Sequence, residues 1–168
     1  MTDRLRVMLL LGGFVLDLAG CRYSFSGGSV PSNLKSIAIP IVQDQSGFGD
    51  PLFKDRFTEE LVQRFTNDGS LTLADRTNAD SALETVITSV RESATVVKPG
   101  EDVSQRRITI TARVTFTDLK LRKKLWERDF SQWGDFPSGA TLTQRDEGIQ
   151  EALRKLTEDI LNETVAGW

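Results

Sequence analysis

One cysteine, no histidine and a knot of four cations are the chemistry this chain offers. Cys21 is the single thiol, and it follows Leu18, Ala19 and Gly20 directly. A thiol without a second cysteine cannot close a disulfide within the chain, but it is a nucleophile that can accept an acyl group. Lys120, Arg122, Lys123 and Lys124 crowd one short run with Leu121 and Leu125 interleaved. Ammonium and guanidinium groups bind phosphates, and a guanidinium can do so bidentately. A solvated hairpin tip has the same composition and also discourages edge pairing. The absence of histidine removes the commonest general base and the commonest metal ligand. Glu59, Glu60, Glu127 and Asp129 read as ordinary solvated charges, since no nucleophile stands beside a base and no metal-ligand spacing occurs. The chain is therefore expected not to be an enzyme and to need neither cofactor nor metal. Ser46-Gly47-Phe48-Gly49 precedes a helix, as a phosphate loop would. However, no Gly-Lys-Ser/Thr follows, and Asp50 puts negative charge where an anion would sit, so this is read as a turn.

The cysteine takes its meaning from what precedes it. Arg4 and Arg6 are followed by an apolar run from Val7 to Leu16, then Asp17 and the small residues that end at Cys21. That is the basic, apolar, small-residue layout of a secretory signal. The run is too short to span a bilayer core of about 30 Å as a helix. Leu18-Ala19-Gly20-Cys21 resembles the bacterial lipobox. The resemblance implies cleavage after residue 20 and a lipid on Cys21 that anchors the mature chain to a membrane. Arg22 stands where lipoproteins retained at the inner membrane carry Asp, which by resemblance favours the outer membrane. Residues 22–34 are rich in Ser, Gly, Pro and Asn and read as a tether. Residues 35–168 are long enough for a single domain with its own core. A net charge of −3 gives no global basic excess, so nucleic acid is not an expected partner.

Those groups must be held by regular elements. Ile37 to Val42 reads as a strand that Pro40 confines to an edge or ends early. Asp50 suits an N-cap and Pro51 the first helical position. Phe53, Phe57, Leu61 and Phe65, with Leu52 and Val62, make one apolar stripe on a helix ended by Gly69. Such a stripe could line a lipid groove, but core packing is the expected role. Leu71 to Ala74 is a short strand. Ala82 to Val97 is a long one whose alternation blurs, and Pro99-Gly100 marks a turn. The cleanest strand follows: Ile108, Ile110, Ala112, Val114 and Phe116 point one way, while Arg107, Thr109, Thr111, Arg113, Thr115 and Thr117 point the other. Lys120 to Lys124 reads as a hairpin tip leading into Leu125 to Gly134. An even-with-even register places Trp126 and Phe130 on the face of Val114 and Phe116. In that hairpin Arg106 and Arg107 stand at the end away from the cationic tip. Thr143 and Asp146 have capping-box spacing ahead of a helix with Ile149, Leu153, Leu156 and Ile160 on one side, ended by Gly167. The order β-α-β-β-β-β-α, each element with one apolar face, predicts an α+β two-layer sandwich: a mixed sheet with two helices packed on one face.

The lipobox, the tether, Ser36-Ile37-Ala38-Ile39-Pro40-Ile41 and Phe57-Thr58-Glu59-Glu60-Leu61 together resemble the lipopolysaccharide-assembly lipoprotein family (LptE-like). The resemblance spans roughly Leu34 to Ile160. It implies a non-enzymatic outer-membrane lipoprotein that sits in or supports a large β-barrel of the lipopolysaccharide export machinery. In that setting Arg107 and Arg113 are candidate barrel-facing residues, because a barrel lumen is polar. A solvated sheet face would have the same Thr/Arg pattern. Lys120, Arg122, Lys123 and Lys124 are candidate contacts to the anionic head of lipopolysaccharide. The same short runs are also similar to envelope lipoproteins that activate peptidoglycan synthases or assist secretion. Those carry a Pro-Phe-x-Asn pattern, from which Pro40-Ile41-Val42-Gln43 departs.

Overall fold

The computed structural model describes residues 30–95 and 105–167. The expected signal at residues 1–20, Cys21 and the Pro99-Gly100 turn lie outside the described residues. The elements are β1 (Ser36–Ala38), β2 (Gln43–Asp44), α1 (Phe53–Asp68), β3 (Thr72–Leu73), β4 (Ser81–Thr95), β5 (Gln105–Asp118), β6 (Lys123–Pro137) and α2 (Leu142–Ala166). The sheet runs β3-β1-β4-β5-β6, with β2 also paired to β4. The short strands pair in parallel and the three long ones antiparallel. Both helices contribute to one apolar core on one face of this mixed sheet. This is the two-layer α+β arrangement the sequence predicts.

Several expected elements differ in their bounds, each for a local reason. The strand expected over Ile37 to Val42 is split. β1 pairs Ile37 with Ser81, and pairing resumes only where Gln43 meets Val86. Pro40 lies in the gap and has no N–H to give the ladder. Asp50 and Pro51 are not the N-cap and first helical residue: the N-cap is Leu52, without a side-chain cap, and the Asp50 carboxylate closes a turn ahead of it by accepting from the Leu52 amide at 3.0 Å. The helix itself begins two residues later, at Phe53, so Leu52 stands outside the stripe and is 61% exposed. The capping box of α2 is formed by Thr141 and Gln144, not by Thr143 and Asp146. The Gln144 amide donates to Thr141 Oγ1 at 3.3 Å, and the Thr141 amide donates to Gln144 Oε1 at 3.0 Å. Asp146 is thereby left to meet Arg56 of α1 at 3.5 Å. Of the expected tether only residues 30–34 are described, and the last of them, Leu34, is buried in the core.

The core follows the periodicities. Ile108, Ile110, Ala112, Val114 and Phe116 of β5 are fully buried. The helix stripes Phe53-Phe57-Leu61-Phe65 and Ile149-Leu153-Leu156-Ile160 are buried with them. The phenylalanines are therefore core and line no groove. The blurred alternation in β4 is a register shift between Ile87 and Ser89. Trp126 stands opposite Phe116, with ring centroids 5.7 Å apart, and Phe130 stands opposite Ala112. Gly69 closes α1 at φ 70°, a left-handed conformation that costs glycine little.

Candidate functional site

The cations near residue 120 divide into two that are engaged and two that are not. The turn proper is residues 119–122, while Lys123 and Lys124 already sit on the first rungs of β6, opposite Asp118 and Thr117. This shortens the tip expected at 120–124, and a register shift between Phe116 and Thr117 accompanies it. Lys124 reaches Glu127 at 3.0 Å. Lys124 and then Thr115 hold the Glu127 carboxyl below its usual range. Lys120 reaches Asp80 at 2.5 Å. Arg122 and Lys123 are exposed and form no ion pair among the described residues. Arg122 adopts φ 52°, which turns the chain back into β6.

Two buried carboxylates fasten this turn to the rest of the domain. Asp80 accepts from the Lys35 amide at 2.8 Å and the Ser36 amide at 3.1 Å, besides Lys120. Its own amide donates to Ser36 Oγ, and its carbonyl accepts from the Leu119 amide. Lys120, then the Lys35 amide, hold the Asp80 carboxyl far below the usual carboxylate range against the cost of its burial. Asp118 is 1% exposed. One of its oxygens accepts from the Leu121 amide at 2.8 Å and the other from Asn33 Nδ2 at 3.1 Å. Neither carboxylate was apparent as a clamp in the sequence. The only local signal is the run of turn-forming residues from Asp75 to Ser81, which says nothing of partners 45 positions away.

The second candidate surface is the uncovered face of the sheet. Arg107 pairs bidentately with Asp135 at 2.7 and 2.9 Å. Arg113 pairs with Asp129 at 2.9 and 3.2 Å. Each carboxylate is directly opposite its arginine across the β5–β6 ladder. Thr111 and Ser131 share a hydrogen bond between them, and Thr115 donates to Glu127. The face is thus a ladder of polar pairs satisfied within the chain. Its cross-strand partners raise the affinity of both guanidinium groups for their proton, and Arg107 lowers the carboxyl of Asp135. Trp133 is the exception. It is 41% exposed, with the Arg107 guanidinium 5.0 Å and the Lys155 ammonium 5.6 Å from its ring. Arg107 lies eleven positions along β5 from Asp118 at the tip, on the order of 35 Å away at the rise of a strand. The tip and Arg107 are separate surfaces, as the hairpin reading predicts.

Among the described residues no helix is long and apolar enough to cross a membrane. No group of three or more His, Cys, Asp or Glu among them could hold a metal ion. The family model for lipopolysaccharide assembly, LptE, matches residues 34–164, most of the chain. Among curated proteins, no sequence matches this chain. Solved structures that resemble it include a hypothetical protein from Chlamydia trachomatis, with a TM-score of 0.61 at 11% identity over 78% of this chain and 98% of that one. A minor lipoprotein from Acinetobacter baumannii matches with a TM-score of 0.54 at 13% identity, over 82% and 95% of the two chains. PelC from Paraburkholderia phytofirmans gives 0.54 at 13%, over 84% and 95%. At such identities these likenesses concern the fold alone.

Proposed function

The chain belongs to the LptE lipopolysaccharide-assembly family, and from that premise we propose that it is an outer-membrane lipoprotein, held by acylated Cys21, that supports or plugs a β-barrel translocon and assists lipopolysaccharide insertion into the outer leaflet. The family match carries this reading. The architecture is consistent with it. One face of the sheet is covered by helices, and the other presents paired polar groups suited to a wet, polar lumen. Arg107 and Arg113 are the candidate barrel-facing residues. Lys120, Arg122, Lys123 and Lys124 are the candidate contacts to the lipopolysaccharide head, with Arg122 and Lys123 the better placed because no carboxylate among the described residues engages them. The role requires no reaction by this chain.

The test is affinity purification of the lipidated protein from outer membranes. A large β-barrel of the export machinery is the expected partner. Recovery of a peptidoglycan synthase with no barrel would sink the reading. Intact-mass analysis should find the mature chain starting at an acylated Cys21, and Cys21→Ala should leave the precursor uncleaved.

A further inference from the structure

The basic turn and the segment Asn33–Ser36 are at the same end of the molecule. A single carboxylate, Asp118, holds both: Asn33 on one oxygen and the Leu121 amide on the other. The Lys35 and Ser36 amides and the Lys120 ammonium meet in the same way on Asp80. The position of the turn relative to the incoming chain is therefore fixed by two buried groups. Twelve positions separate Cys21 from Asn33, the residue tied to Asp118, so that stretch cannot exceed about 40 Å even when fully extended. If the acyl chains are on Cys21, the turn lies within that reach of the bilayer surface that holds them.

What the turn presents suits that surface. Leu121 is 69% exposed, and Arg122 and Lys123 beside it have no ion pair among the described residues. An apolar side chain beside two free cations matches the boundary between acyl chains and anionic headgroups, and a lipid chain combined with a basic patch anchors better than a lipid chain alone. We infer that Leu121, Arg122 and Lys123 dock the domain on the anionic phospholipid of the leaflet that carries the lipid anchor, orienting the sheet relative to the membrane. This rests on the anchor at Cys21 proposed above.

The experiment uses the lipidated full-length mature protein with a spin label at Leu121→Cys, which is the only free thiol when Cys21 is acylated. It is reconstituted in vesicles of phosphatidylcholine alone, of phosphatidylcholine with phosphatidylglycerol, or of phosphatidylcholine with lipopolysaccharide. Flotation reports the anchor, and the accessibility of the label to oxygen against a water-soluble relaxation agent reports the turn. The expected result is a label that enters the interface in phosphatidylglycerol vesicles. It should return to water with Arg122→Gln and Lys123→Gln together, or in high salt that shortens the roughly 8 Å screening length of physiological buffer. A label that stays aqueous on floated protein overturns the docking while leaving the anchor intact. A label that enters only vesicles containing lipopolysaccharide overturns it in favour of cargo contact. Protein that does not float overturns the anchor, and the docking with it.

Discussion

Gly134 of β6 lies so close to Gly148 of α2 that a Cβ built on Gly134 would stand 1.9 Å from the Gly148 carbonyl oxygen. No side chain fits there, so the pair sets how closely α2 can lie over the sheet edge. Backbone meets backbone, and the clash cannot be relieved by turning a rotamer. Gly134→Ala should therefore cost more than the roughly 1–3 kcal/mol of ordinary overpacking. Gly148→Ala is different. Its Cβ would meet the Phe136 ring at 3.2 Å, and the helix would gain up to about 1 kcal/mol of propensity. Near-neutral stability is expected there. Urea denaturation of the two variants decides it, and equal losses would show that the crossing tolerates more separation than its geometry implies.

The acid sensitivity of the domain should pass through Asp80. Its folded-state carboxyl is held well below its unfolded value of about 3.9, chiefly by Lys120 and by the Lys35 amide. A depressed carboxyl contributes stability that is complete above the unfolded value and is lost as pH falls below it toward the folded one. The parent should therefore lose stability below about pH 4 more steeply than Asp80→Asn. At neutral pH the variant should already be weaker by about 1–3 kcal/mol: the remaining amide oxygen can still accept from Lys35 and Ser36, but the charge that strengthens those bonds and pairs with Lys120 is gone. Parallel acid dependences for the two proteins would remove Asp80 from this role.

The two helix stripes share one core with β5, so truncating either should weaken the whole domain. Phe57→Ala and Leu153→Ala should each cost about 2–5 kcal/mol, the range for large-to-small core changes. Both side chains are essentially unexposed. Unchanged denaturation midpoints would mean that the stripes pack against something other than this core.

What the sequence made legible was whatever repeats with the period of an element. The alternation from Ile108 to Phe116, the stripes on both helices and the break at Pro40 each express a local rule, and each appears in the fold. What it hid depends on meetings between distant positions. Asp80 looks like one more turn residue until the Lys35 and Ser36 amides, 45 and 44 positions away, turn out to point at it. Gly134 reads as the end of a strand that in fact runs on to Pro137, and nothing there signals Gly148. The cationic run was visible as a composition, but its division into engaged and free members was not. That division is set by Asp80, which Lys120 meets only once the sheet is built, and by Glu127, three positions from Lys124 on the same strand. Thr141-x-x-Gln144 and Thr143-x-x-Asp146 both fit the spacing of a capping box, but the preference for Glu or Gln at the third helical position already favours Gln144, whose longer side chain reaches back to the cap amide.

The pairing of Arg113 with Asp129 offers a way to separate what the sheet face does for the fold from what it does for a partner. Both side chains are 53% exposed, so the pair should contribute no more than about 1 kcal/mol to stability despite its bidentate geometry. Arg113→Asp alone puts two carboxylates opposite each other on adjacent strands, and a small loss of stability is expected. Adding Asp129→Arg restores opposite charges with the order reversed and should recover most of that loss. A lumen wall that meets this face would still sense the reversal, because charge patterns across an interface set register and exclude mismatched partners. The double variant should therefore fold like the parent yet copurify less barrel. The tip variant Arg122→Gln with Lys123→Gln should leave that copurification unchanged. Parent-level recovery of barrel with the reversed pair would exclude this part of the face from the contact. The plug reading would then have to rest on Arg107 and Trp133, at the far end of the same strands.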